Sequence, residues 1–187
     1  MKKGIVLLVF CLMSIGIVNA QTSTFQKGNG VLNLTIGFGS GLYTGGGYTT
    51  SVPPLAASYE VGIVDNIFEK GTIGVGGYFG FASAKYNVGY SDWAWKYTNI
   101  VIGPRGTLHY PLVEKLDTYA GLMIGYNIVN ASWTGSGSSN LYSASGSGLI
   151  TAGFLGARYY FSDKFAGLAE LGWGVAYFNL GVAFKLK

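Results

Sequence analysis

The sequence predicts an all-β fold: an eight-stranded antiparallel up-and-down barrel that crosses a membrane. Three observations carry this expectation. Large apolar residues recur at every second position in stretch after stretch. The residues between them are mostly Gly, Ser, Thr or Asn. The connections alternate between long and short. Period two is the mark of a strand. A face this rich in glycine is too small to fill a large core and too bare to cover a wet exterior. It suits the narrow inside of a closed barrel whose outside meets lipid.

The first stretch, 31–39, sets Leu32, Leu34, Ile36 and Phe38 against Asn33, Thr35, Gly37 and Gly39. The second, 55–65, puts Leu55, Ala57, Tyr59, Val61 and Ile63 outward and Ser58, Glu60 and Gly62 inward. The third, 71–83, turns Ile73, Val75, Phe79 and Phe81 out. The fourth, 96–110, has Ile100, Ile102, Leu108 and Tyr110 out and Gly103, Arg105, Thr107 and His109 in. Pro104 lies within it, lacks an N–H, and predicts a local bulge. The fifth, 117–130, directs Leu122, Ile124, Tyr126 and Ile128 outward. The sixth, 147–161, carries Arg158 and Tyr160 inward. The seventh, 164–174, carries Glu170 inward, and the eighth, 176–186, carries Asn179, Gly181 and Ala183 inward. Stretches of about 10 residues are what a tilted membrane strand needs.

Connections 40–54, 84–95 and 131–146 are long and rich in Gly, Ser and Tyr, whereas 66–70, 111–116 and 162–163 are short. The connection near residue 175 breaks this order and must be a tight hairpin on the long-loop side. Aromatics gather at both expected interfaces. Tyr110, Tyr119, Tyr159, Phe161 and Phe184 lie near the short turns, and Phe38, Phe81, Tyr97, Trp133 and Trp173 near the long loops. Amphipathic rings favour the headgroup level.

The first twenty residues read as a secretory signal peptide. Lys2 and Lys3 precede an apolar run from Gly4 to Val18, and Val18-Asn19-Ala20 offers a cleavage site after Ala20. Residues 21–30 then form a polar periplasmic lead-in, and 31–187 the barrel. Cleavage removes Cys11, the only cysteine, and with it any disulfide framework or thiol chemistry. Removing Lys2 and Lys3 from the 12 basic residues leaves 10 against 8 acidic ones, a net of +2. That balance gives no reason to expect nucleic acid.

Two segments resemble a known family. Gly156-Ala157-Arg158-Tyr159-Tyr160-Phe161-Ser162-Asp163 leads into Glu170-Leu171-Gly172, and Asn179-Leu180-Gly181-Val182-Ala183-Phe184-Lys185-Leu186 closes the chain before Lys187. They resemble the small outer-membrane β-barrel family of Gram-negative bacteria, which includes the outer-membrane protein A transmembrane domain and outer-membrane protein X. The resemblance covers roughly 31–187, and most of it is pattern. It implies a location in the bacterial outer membrane, contact with lipid and lipopolysaccharide, and a monomer. It also implies a C-terminal signal read by the barrel-assembly machinery at Asn179, Gly181, Phe184 and Leu186. Leu186 stands where that signal usually has an aromatic residue.

Four inward charges, Glu60, Arg105, Arg158 and Glu170, balance one another. In so narrow a barrel they predict an ion network that fills the lumen. His109, the only histidine, falls at the short-turn end. Lipid-modifying chemistry would need a site at the other end, and one histidine without a thiol makes a poor metal site. No cofactor or metal is expected. Tyr43, Tyr90, Trp93, Trp95 and Trp133 stand among Ser, Gly and Asn in the long loops, a mixture suited to contacts with an external ligand. The expected function is therefore non-enzymatic: a filled barrel with a structural or surface-interaction role. A small channel of the outer-membrane protein W type is the alternative, and a lipid A-modifying enzyme ranks third.

Overall fold

A computed structural model describes residues 24–43, 47–87, 94–134 and 146–186. The expected signal peptide, 1–20, lies outside the described residues. The strands are β1 (Gly30–Phe38), β2 (Tyr48–Ile67), β3 (Gly71–Asn87), β4 (Ala94–Val113), β5 (Leu116–Thr134), β6 (Gly148–Tyr160), β7 (Phe165–Trp173) and β8 (Phe178–Lys185). Each pairs antiparallel with the next, and β8 returns to β1, closing one ring. Closure leaves no free edge within lipid, where an unpaired N–H or C=O costs several kcal/mol.

Glycine allows the walls to approach. A Cβ at Gly181 would strike the carbonyl oxygen of Leu34, at the β1–β8 seam that closes the ring. The hairpin near 175 turns on Gly174, whose φ of 111° is left-handed, and the Gly172 N–H donates to Tyr177 O at 2.9 Å. At the other end, Lys115 reaches φ 64° in the two-residue Glu114-Lys115 turn, which is shorter than the expected 111–116 connection.

The barrel is lopsided, which the sequence reading does not anticipate. Strands β2 to β5 run 17–20 residues, whereas β1, β7 and β8 run only 8–9. The β1–β2 ladder stops at Ile36↔Leu55 and the β5–β6 ladder at Asn127↔Gly148. The β2–β3 and β4–β5 ladders continue to Tyr48↔Tyr86 and Ala94↔Thr134. Four strands thus project above the ring as a tall wall. Seven residues of β5 beyond Asn127 add about 24 Å along the strand at 3.4 Å each. The expected loops 40–54, 84–95 and 131–146 shrink accordingly, because much of each is strand.

Pro104 introduces no bulge: register runs unbroken through Gly77↔Pro104 and from Ile102↔Tyr126 to Arg105↔Met123. Gly77 opposite has open space beside it, so the proline ring is accommodated without displacing the strand. The register shifts fall elsewhere, in β2 at Thr50–Leu55 and Gly62–Ile67 and near the end of β4 at Pro111–Val113. The first contains Pro53 and Pro54 and blunts the free edge of the tall wall.

Candidate functional site

Outside, the wall is apolar. Leu122, Ile124, Leu155 and Leu171 are each more than 60% exposed, which water would penalise and lipid would not. On the tall wall this face changes character along consecutive rows. Leu55, Phe81, Ile100 and Ile128 form the last apolar row. Above it Val52 stands with Ser83, Thr98 and Asn130, and then come Thr49, Lys85, Lys96 and Ser132. The outward face thus turns from apolar to polar across these rows.

Inside, charges are buried in two tiers. The tier near the short turns centres on Arg158, fully buried from β6. Its guanidinium pairs with Glu60 from β2 and, at 3.1 Å, with Asp117 from β5. His109 from β4 places Nδ1 2.9 Å from Asp117 Oδ1 and Nε2 2.9 Å from the Thr107 hydroxyl, which itself donates to Glu60 Oε2 at 2.9 Å. In the next tier, Arg105 donates to Glu170 at 2.9 Å and to the Ser58 hydroxyl at 3.0 Å. The Tyr119 hydroxyl donates to the same Glu170 oxygen at 2.8 Å. Rings cap both cations: Phe154 lies 4.2 Å from the Arg105 guanidinium and Tyr119 4.5 Å from that of Arg158.

Charges from opposite walls therefore meet across the lumen, Glu60 with Arg158 and Arg105 with Glu170. Asp117 and His109 join them, and sequence reasoning placed neither in the network. Asp117 opens β5 directly after a turn, where a carboxylate reads as a solvated cap. Its register against Arg158 on β6 and Pro111 on β4 turns it inward. Tyr119 also moves: expected in the interfacial girdle, it is 4% exposed in the lumen, because odd positions of β5 face inward. Above the ions, Val101, Met123, Ala152 and Val175 pack with Leu42, Tyr78, Ile150 and Phe154 into an apolar stopper. A gap of about 30 Å³ lies beside Arg105, Glu170, Tyr78 and Phe154.

The expected loop aromatics separate. Tyr90 and Trp93 lie outside the described residues. Trp95 and Trp133 are strand residues, paired opposite one another on β4 and β5, with rings 4.9 Å apart and edge-on. With Tyr48 and Tyr86 they form one row across all four strands of the tall wall. The alternation puts this row on the continuation of the lumen face, so neither Trp133 nor Tyr97 joins the lipid-facing girdle. Tyr43 packs against Tyr48 at 5.8 Å and accepts a hydrogen bond from Asn99 at 2.9 Å. Its burial pushes the phenol pKa up. Of the expected assembly signal, Asn179 pairs with Glu170 and Gly37, Gly181 sits at the seam, Phe184 packs outward on Phe165, and Leu186 follows the end of β8.

No family model and no curated protein matches this chain. Three solved structures of Ail, the attachment invasion locus protein of Yersinia pestis, are similar to it. The complex with the heparin analogue sucrose octasulfate is 11% identical, with TM-score 0.46, over 86% of this chain and 99% of that one. A crystal structure of Ail is 17% identical, with TM-score 0.41, over 86% and 99%. The backbone structure in a phospholipid bilayer nanodisc is 17% identical, with TM-score 0.46, over 86% and 100%. From its own ladders and burial, this chain is an eight-stranded antiparallel barrel, apolar outside and ionic within.

Proposed function

We propose that this protein is a non-enzymatic barrel of the bacterial outer membrane that meets external partners through its tall wall and the loops above it. One observation carries the reading: a ring without edges turns apolar side chains outward and buries three carboxylates, two guanidiniums and an imidazole within. Only lipid suits that exterior, and only a filled interior suits those charges. The ion tiers hold the walls together, with Glu60, Arg105, Arg158 and Glu170 joined by Asp117 and His109. The row Tyr48–Tyr86–Trp95–Trp133 gives the outer end rigid, amphipathic rings on strands, a surface suited to binding. Lipopolysaccharide surrounds the outer half, and the barrel-assembly machinery reads β8 during insertion. The barrel works as a monomer.

His109, Asp117 and Thr107 superficially resemble a base, its orienting acid and a hydroxyl nucleophile. The Thr107 proton is already given to Glu60, and the His109 ring is fully buried against Phe25. With that proton committed to Glu60 and the imidazole held between Asp117 and Thr107, the arrangement works as structure. Planar-bilayer recording tests the filled lumen. Purified protein gives no stable single-channel steps, and steady conductance by the wild type would favour the channel reading instead. For the outer end, an array of host and bacterial surface polymers is screened with wild type and with W95A/W133A. Binding lost in the double variant supports the wall as the contact surface, whereas equal binding by both places contact elsewhere.

A further inference from the structure

The segment before β1 is polar in sequence, yet it contains a fully buried ring. Thr24–Asn29 folds back beneath the barrel, and Phe25 enters the short-turn mouth of the lumen. Its ring lies 4.0 Å from the His109 ring, tilted by 31°, and 5.9 Å from the Arg158 guanidinium. Val31, Tyr160, Ala166, Leu168 and Ala183 complete its surroundings. The backbone on either side is tied to three different strands. Lys185 Nζ on β8 donates to Thr24 O at 3.0 Å. The Thr72 hydroxyl on β3 lies 3.0 Å from Phe25 O and 2.9 Å from Asp65 Oδ1, so its one proton is shared. The Lys27 N–H donates to Asp65 Oδ1 at 2.7 Å, and the Gly28 N–H to Gly62 O at 2.9 Å. Gly62 is required here, because a Cβ would strike the carbonyl oxygen of Gln26.

We propose that this strap is a displaceable lid over the short-turn mouth, with Phe25 as its stopper and His109 as its seat. The attachment differs in kind from the barrel's own. Strands β1 to β8 are each held on both sides by ladders of seven or more residue pairs. The strap's described backbone bonds to β2 all fall at Gly62, through the isolated Lys27↔Gly62 bridge and the Gly62 N–H donated to Asn29 O at 3.0 Å, and its ties to β3 and β8 are made by side chains. It can therefore lift without breaking a rung of the barrel. Lifting it exposes His109, Asp117 and Arg158 to water. The lumen above remains shut by Tyr119, Arg105 and Phe154. The lid thus controls hydration of the lower ion tier and does not open a through-path.

The test uses the full chain folded in detergent micelles, and it does not depend on any ligand. The chain has one histidine, so its ring signals need no assignment by elimination. Two substitutions attack the lid independently: F25A removes the stopper, and G62A drives the strap off the wall. In wild type, the Lys27 and Gly28 amides should exchange with solvent roughly tenfold or more faster than amides of the eight-strand ladder. Each substitution should accelerate those two amides again and remove the Phe25 part of the His109 ring-current shift, leaving that from Tyr119 at 5.0 Å, with ladder exchange unchanged. Strap amides that exchange at the ladder's rate in wild type would overturn the lid, since the strap would then open only with the barrel. So would His109 signals unmoved by F25A. The wild-type measurement decides even where a variant fails to fold. A variant that never forms the barrel makes the strap part of the barrel's own folding, and also overturns the lid.

Discussion

Glu170 receives Arg105 and Tyr119 on one carboxylate oxygen, in a site about as dry as the core of a soluble protein. A buried ion pair is weak evidence of net stability, but removing one partner leaves an uncompensated charge. E170A is therefore expected to cost about 3–5 kcal/mol in denaturant unfolding from lipid vesicles. The double variant E170L/R105M should lose much less, since it removes both charges at similar volume. Both residues were legible as inward charges from the alternation alone. Their pairing was not, because β4 and β7 are remote in sequence and meet only across the closed lumen. Asp117 shows the same limit: next to a turn, its sequence context points to water, and only the register of β5 against β6 turns it inward.

At the scale of elements, the alternation located all eight strands but not the full lengths of the tall ones. Residues 48–54 contain Val52-Pro53-Pro54 and no clean alternation, so the upper part of β2 reads as loop. The ladder with β3, not local propensity, extends it. The Trp95–Trp133 pair belongs to that extension. Edge-on aromatic pairs contribute about 0.5–1.5 kcal/mol beyond area. A double-mutant cycle of W95A and W133A should give a coupling in that range, and a coupling near zero would show that the rings act separately. The seam is less forgiving. G181V should prevent β8 from closing on β1, leaving a protein that migrates identically on SDS gels with and without boiling. The strap is balanced more finely. Ordering its six residues costs about 6–12 kcal/mol, while burying Phe25 and making about six hydrogen bonds returns some 5–12 kcal/mol. That near-equality suits a segment that lifts while the barrel stays closed.

For the whole molecule, stability and outward contact occupy different parts. The ion tiers and the apolar stopper fill the lumen, and the tall wall projects beyond the closed ring on one side only. Replacing the loops that follow Asn87 and Thr134 with short Gly-Ser linkers should leave the gel-mobility shift unchanged and remove binding to any external ligand found for the wild type. F25A should still conduct nothing in planar bilayers, because Phe154 and Met123 close the lumen above the lid. Conductance in F25A together with a silent wild type would mean that the lid, and not the stopper, closes the barrel.

The sequence by itself determined a closed barrel of eight strands and the inward placement of Glu60, Arg105, Arg158 and Glu170. Those properties follow from period two and from where small residues recur, and both are local. Tertiary structure alone decided which charges meet, how far β2 to β5 rise above the closed ring, and that a polar lead-in hides a buried phenylalanine. Each of these depends on register between strands or on contact across the lumen. Such contacts join residues tens of positions apart, and no local pattern records them.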